Sequence, residues 1–284
     1  MNLRKIILIA SLIAMHHNAG PAMQQSLITI QTNEKPIIYT TRINDTTFFA
    51  IKPHVCKIKN GQTPSRQELL KRFTPEHHAW YADGCNNSEL NTLIDAFITH
   101  IQEQIFSKTP KKEKPFLAIF DIDETVLTQY GTLFRLVKND VENNTQTEHS
   151  MTTLTPSFRY LDPITPMLKL YQFFIERGCK IAFITNRPDT EQHRSLTITQ
   201  LNDFGYTAYD ELHLRAQSQT GSTGQYKELL RSQLADTYDI VAIIDDNHEN
   251  LQGKHLGVAV LWVPSLLAQY DAEVTFFEQM FLQD

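Results

Sequence analysis

The sequence predicts an α/β protein with a central parallel sheet, helices on both faces, and a small insertion after the first strand of that sheet. Three observations predict it. From residue 114 onward, short unbroken apolar runs alternate with amphipathic helical stretches, two of them ended by glycine. Unbroken apolar strands belong to sheets covered on both faces, which parallel sheets are. Three of the runs stop at an acid or a hydroxyl, namely Asp121, Thr185 and Asp245, and open α/β sheets bind ligands at their strand carboxyl ends.

The chain of 284 residues is 41% hydrophobic and 20% charged, which is ordinary globular composition with room for one large domain and a smaller attachment. Its net charge of −6 excludes a broad nucleic-acid-binding surface.

The first 22 residues read as a signal peptide. Arg4 and Lys5 precede an apolar run from Ile6 to Met15, too short to span a bilayer, and small residues follow from Ala19 to Ala22. The bland reading is a short core helix. Cleavage would place the protein outside the cytoplasm, periplasmic or secreted, with no stable membrane span and a net charge of −8, since only two basic residues and no acids are removed. Export permits a disulfide, and Cys56–Cys85 is the expected pair, while Cys179 enters a buried strand and reads as a free thiol.

Residues 23–113 read as an N-terminal α+β region. "SLITIQT" and "TTFFAIK" are expected strands, and "SRQELLKRF" and "ELNTLIDAFITHIQEQIF" expected helices, the second with Leu90, Leu93, Ile94, Phe97, Ile98 and Ile101 on one face. The charged, proline-bearing "SKTPKKEKP" marks a boundary near residue 113.

The core, residues 114–284, opens with the strand "FLAIFDID". Residues 129–161, mostly polar, break the alternation and read as a small cap over the crevice. A helix follows, capped by Thr165 with Pro166 in its first turn and Gly178 past its end. Then come the strand "KIAFITN", a helix capped by Asp189 and stopped by Gly205, the strand "ELHLRA", the helix "GQYKELLRSQL", and the strands "DIVAIIDD" and "VAVLWVP".

The crevice so formed gathers Asp121 and Asp123 from the first core strand, Thr185 and Asn186 from the second, Asp245 and Asp246 from the fourth, and Lys227 from the helix before it. Carboxylates this close destabilise one another unless a cation or proton lies between them. Carboxylates with a hydroxyl, an amide and a lysine suit Mg²⁺ and a phosphate. Plainer readings exist for each: Asp123 as a helix cap, Thr185-Asn186 as turn residues, Asp245-Asp246-Asn247 as a polar loop, and Arg215, Arg231 or Lys254 in place of Lys227. Arg187 is either a substrate contact or an acid's partner. His77-His78 read as packing or surface residues.

"FDIDETVLT" fits the D-x-D-x-T signature of the haloacid dehalogenase-like (HAD) superfamily. "FITNR", Lys227 and "IIDDN" are similar to its second, third and fourth motifs, in order, over roughly residues 114–264. Within it the chain most resembles secreted acid phosphatases of the bacterial class B and class C type and plant storage-type relatives. It departs from them at Asp245-Asp246-Asn247 with Asn250, where Gly-Asp-Asn and a later aspartate are usual, and in "TQYGTLF" after the first motif.

The resemblance implies a Rossmann-like HAD fold and Mg²⁺-dependent hydrolysis of a small phosphomonoester through an aspartyl-phosphate. Asp121 would be the nucleophile and Asp123 the acid/base, with Asp121, Asp123, Asp245 and Asp246 as the metal set. Thr185, Asn186 and Lys227 would bind the phosphate, and Glu124 would be a bystander. A non-catalytic binding protein that keeps the fold, or a phosphotransferase, stays open beside this; the retention of both aspartates and the lysine favours the enzyme. The sequence leaves the oligomeric state open.

Overall fold

The computed structural model describes residues 26–32, 35–43, 45–51, 88–107, 113–128, 161–251, 253, 257–263, 277 and 279–281. The expected signal segment, the helix over 65–73, the Cys56–Cys85 pair and His77-His78 lie outside the described residues.

β1 (Ser26–Thr32), β2 (Lys35–Ile43) and β3 (Thr46–Ile51) form an antiparallel meander. β2 is additional to the two expected strands. Pro36 is the second residue of β2, and proline is tolerated at a strand's start. α1 (Ser88–His100) buries Leu90, Leu93, Ile94 and Phe97, its expected apolar stripe. It runs on as a π-helical turn, Ile101–Phe106, that brings Phe106 against Phe116 and Phe173.

β4 (Phe116–Phe120) is the first core strand. A tight turn follows, in which the Ile122 carbonyl accepts from the Val126 and Leu127 amides at 3.0 Å. β5 (Leu127–Thr128) pairs antiparallel with β6 (Asp162–Pro163), so the chain leaves and re-enters the core at one point. The residues between them, where the cap is expected, lie outside the described residues except for Leu161.

The remainder alternates as expected: α2 (Thr165–Glu176), β7 (Lys180–Pro188), α3 (Glu191–Asp203), β8 (Glu211–Arg215), α4 (Thr223–Thr237), β9 (Asp239–Asp245), a 3-10 turn (His248–Leu251) and β10 (Ala259–Trp262). Two caps differ from expectation. Ile164, not Thr165, occupies the cap position of α2, without a side-chain bond; Pro166 in the first turn lacks an amide to satisfy. Thr190, not Asp189, caps α3 by accepting the His193 amide at 3.2 Å, while Asp189 pairs with Arg194. Gly178 and Gly205 follow α2 and α3 with positive φ, as the helix ends require.

Among the described residues, all ten strands but β5 and β6 form one sheet in the order β1-β2-β3-β10-β9-β4-β7-β8. From β3 to β8 every pairing is parallel. The N-terminal meander thus extends the core sheet through β3 and β10. On one face Ala118, Phe120, Ile181 and Phe183 pack with α1 and α2 through Phe97, Met167 and Phe174. On the other, Leu117, Ile119, Ala182 and Ile184 pack against Tyr226 and Leu234 of α4. Cys179 is a free, buried thiol whose pKa burial pushes up to about 12. Among the described residues, no helix is long and apolar enough to cross a membrane.

The order of strands reverses between β4 and β9: successive strands extend from β4 to β7 and β8 on one side, and from β9 to β10 on the other. Such a switch opens a crevice at the carboxyl ends of the two central strands, which here end in Asp121 and Asp245.

Candidate active site

The register Phe120↔Ile244 sets Asp121 beside Asp245, and the Asp121 amide donates to the Ile244 carbonyl at 2.9 Å. Both carboxylates are buried. Thr125 lies under the turn, with its hydroxyl 3.4 Å from Asp121 Oδ2.

Lys227 joins them. Its Nζ donates to Asp121 Oδ1 at 2.5 Å and to Asp245 Oδ2 at 2.6 Å, and the side chain is buried. The start of α4 fixes this reach. Ser222 and Gln225 form a capping box one turn earlier. Gly224 lies so close to the loop after β9 that a Cβ would stand 2.6 Å from the Glu249 carbonyl oxygen. A residue without a side chain lets the helix approach the loop that carries Asp245 and Asp246.

Asp121, Asp245 and Asp246 each present one carboxylate oxygen, all within 4.8 Å of one another. Asp245 is oriented by three donors: the Asn247 amide at 3.0 Å and Asn250 Nδ2 at 2.9 Å on Oδ1, and Lys227 on Oδ2. Trp262 Nε1 donates to the Asp246 carbonyl at 2.9 Å and ties down the loop. Burial pushes the Asp121 carboxyl up to about 7, reinforced by the Asp245 and Asp123 charges and opposed by Lys227. Asp246 is raised well above the usual carboxylate range, by burial and then by Asp121 and Asp245. Burial acts to lower the Lys227 pKa, but the two carboxylates outweigh it and hold the ammonium charged. Three acids around one cation leave an excess of negative charge. The donor set is hard oxygen, which fits a divalent cation such as Mg²⁺.

The Asp123 carboxylate is not part of that triad and meets the end of β7 instead. It accepts from Arg187 Nε at 2.9 Å and Nη2 at 2.7 Å, and the Thr185 hydroxyl lies 3.4 Å away. The end of β7 alternates, with Thr185 and Arg187 buried and Asn186 exposed. Asn186 turns away from Thr185 and accepts from Arg215 Nη1 at 2.8 Å. Of the two readings of Arg187, the structure has the acid's partner. Glu124, at φ 59, turns to accept from the Thr128 hydroxyl at 2.8 Å.

Among the rivals to Lys227, Arg215 binds Asn186 and the Gly221 carbonyl, Arg231 is buried with its pKa lowered by burial, and Lys254 lies outside the described residues. The signal missed in the sequence is the set around Arg187: Thr197 and Gln200, spaced three apart on α3, both meet its Nη1. Two polar residues at helical spacing, following a strand with an arginine next to its end, carry that signal. Asn250, five residues after Asp245, is a second such case.

Residues 70–271 match the family described as HAD superfamily, subfamily IIIB (acid phosphatase). Over 157 residues the chain is 29% identical to acid phosphatase 1 of Solanum lycopersicum, a stretch covering 52% of this chain and 56% of that protein. The match therefore spans little more than half the length of the tomato protein. Among solved structures, the class C acid phosphatase from Bacillus anthracis with tungstate bound is 17% identical, with a TM-score of 0.47 and coverage of 77% of this chain and 98% of that one. A second structure of the Bacillus anthracis enzyme gives 16% and 0.46 over the same shares. With its motifs inside the matched stretch, which takes in well over half of its length, the chain belongs to the HAD superfamily, subfamily IIIB (acid phosphatase).

Proposed function

We propose that the chain is an exported, Mg²⁺-dependent phosphatase that hydrolyses small phosphomonoesters through an aspartyl-phosphate. One observation carries the reading: Asp121, at the end of the central strand, is bound by Lys227 and shares a space of 4.8 Å with Asp245 and Asp246. A buried nucleophile aligned by a cation, with two further acids at its side, suits attack on an anionic phosphorus centre.

Asp121, Asp245 and Asp246, with the Asp123 backbone carbonyl, would hold a divalent ion, which would supply charge neutralisation between nucleophile and phosphate. The Asp121 carboxylate oxygen attacks phosphorus, and the ester P–O bond breaks. Asp123 gives its proton to the leaving oxygen. Asp123 then takes a proton from water as that water attacks phosphorus. The acyl-phosphate P–O bond breaks, releasing phosphate and restoring the Asp121 carboxylate. Lys227 and the Thr185 hydroxyl hold phosphoryl oxygens through both steps. Asn186 is engaged by Arg215 and has no part in these steps. The charged and apolar pattern of residues 1–22 supports export, and the cap at about residues 129–161 is the proposed seat of substrate choice.

The test is hydrolysis of p-nitrophenyl phosphate by purified residues 23–284, with Mg²⁺ and with chelator, beside Asp121→Asn. Activity is expected with Mg²⁺ only, and trapping of a phosphorylated Asp121 by borohydride reduction is expected in the wild type. Inactivity of the wild type from acid to neutral pH overturns the reading. Activity that survives Asp121→Asn overturns the mechanism. An intact Met1 on protein recovered from the cytoplasm overturns export.

A further inference from the structure

The Arg187 side chain is 1% exposed, so it does not reach a substrate, whereas the Asp123 side chain it pairs with is 27% exposed. Every nitrogen of the guanidinium is used. Nε and Nη2 form a fork on the Asp123 carboxylate, and Nη1 donates to Thr197 Oγ1 at 2.9 Å and Gln200 Oε1 at 2.8 Å. Thr197 and Gln200 are buried on one face of α3. A chain of contacts thus runs from the body of α3, through Arg187, to the acid that faces the crevice.

Asp123 needs such a support. It sits not in a regular strand but in the turn after β4, where the next residue adopts φ 59 and only an isolated bridge joins Asp123 to Leu127. A planar fork fixes the plane of a carboxylate as well as its distance, which a lysine's point charge does not. The fork uses only part of the carboxylate's lone-pair capacity, so each oxygen keeps a site for a proton.

We propose that Arg187, held by Thr197 and Gln200, is a positioning residue that orients the Asp123 carboxyl for proton transfer to the leaving oxygen. The proposal rests on the reading of Asp123 as the acid/base. It predicts a defect that depends on the leaving group. Nitrophenolate departs without a proton, whereas an alkoxide needs one.

The experiment compares kcat and KM for p-nitrophenyl phosphate and glycerol 2-phosphate across wild type, Asp123→Asn, Arg187→Met, Arg187→Lys, Thr197→Val and Gln200→Leu. In Arg187→Met, kcat/KM for the alkyl ester, which reads the steps up to departure of the leaving group, is expected to fall about 100-fold or more, the scale of general acid catalysis. For the nitrophenyl ester the fall in kcat/KM is expected to stay within several-fold; the later attack of water, which Asp123 also serves, enters kcat for both esters alike. Arg187→Lys is expected to keep most of the deficit, because charge without the fork does not set the plane. If Asp123→Asn shows the leaving-group dependence in kcat/KM and Arg187→Met lowers kcat/KM for both esters equally, or for neither, the positioning role is overturned alone. If Asp123→Asn itself lowers kcat/KM for both equally, the reading of Asp123 as the acid falls and the proposal with it. Should Arg187→Met fail to fold by circular dichroism, Thr197→Val and Gln200→Leu carry the test: a selective alkyl-ester defect supports the role, and an equal or absent defect overturns it.

Discussion

Lys227 binds Asp121 and Asp245 at once, at 2.5 Å and 2.6 Å, from the first turns of the helix that precedes the strand carrying Asp245. One ammonium therefore fastens the ends of the two central strands together. All three groups are buried, and breaking such a set from one side leaves uncompensated charge in the interior. Lys227→Met is expected to destabilise the protein by about 3 kcal/mol or more in urea unfolding. Pairing it with Asp245→Asn, which removes one stranded carboxylate, is expected to cost less than the sum of the two single changes. Strict additivity would show that Lys227 does not serve both acids.

If the acidic cluster holds a cation, its raised carboxyls make the effect of that cation on stability depend on pH. The folded-state pKa of Asp121 is about 7 and that of Asp246 is also raised, so the native state holds more protons than the unfolded chain above about pH 4. Their contribution to stability is present at low pH and is lost as pH rises through the folded-state values. Chelated protein is therefore expected to lose Tm between pH 5 and pH 8. A divalent ion bound there would replace those protons, so the rise in Tm on adding Mg²⁺ is expected to be larger at pH 8 than at pH 5. An equal rise at both values, or the same rise in Asp246→Asn, would count against this metal set.

Gly224 offers a test by sign. In the exposed turn of an ordinary helix, glycine to alanine stabilises by roughly 0.5–1 kcal/mol. Here the new Cβ would stand 2.6 Å from the Glu249 carbonyl oxygen, a backbone atom that cannot rotate away. Gly224→Ala is expected to destabilise instead, by about 1–3 kcal/mol, the range for overpacking. Because Lys227 lies one turn further on, phosphatase activity is expected to fall as well. A stabilised variant in thermal unfolding would show that the approach of α4 to the loop is not tight.

The parts of the fold that were legible are those where one pattern dominates. Unbroken apolar runs and glycine stops announced β4, β7, β9 and β10 and the helices between them. The Asp121, Asp245 and Asp246 cluster was legible because all three acids follow directly from strand ends. What the sequence hid is set by tertiary contacts. Arg187 gave two open readings because its partner is 64 residues away, and its other partners lie on a helix whose polar buried face has no apolar stripe to betray it. Asn186 looked like a neighbour of Thr185, yet strand alternation sends it to the opposite side, toward Arg215. The caps of α2 and α3 were misplaced by one residue, where adjacent residues compete for a single amide.

The N-terminal meander is joined to the core by more than a strand pairing. β3 lies parallel to β10, and Phe49 packs edge to face on Phe97 of α1, with ring centroids 5.3 Å apart, in the same cluster as Phe120 and Leu261. Both rings are buried. Phe49→Ala should therefore cost about 3–5 kcal/mol, the usual range for a buried phenylalanine, although it lies far in sequence from the acidic motifs of the crevice. Phe97→Ala in the same background is expected to add less than it costs alone, because the two rings share one contact. Deleting residues 1–113 would strip the β3 edge from β10 and uncover this cluster, so residues 114–284 alone are expected to lack a cooperative unfolding transition. A fragment that melts cooperatively, with the Phe49→Ala protein as stable as wild type, would show that β3 and α1 decorate the core without completing it.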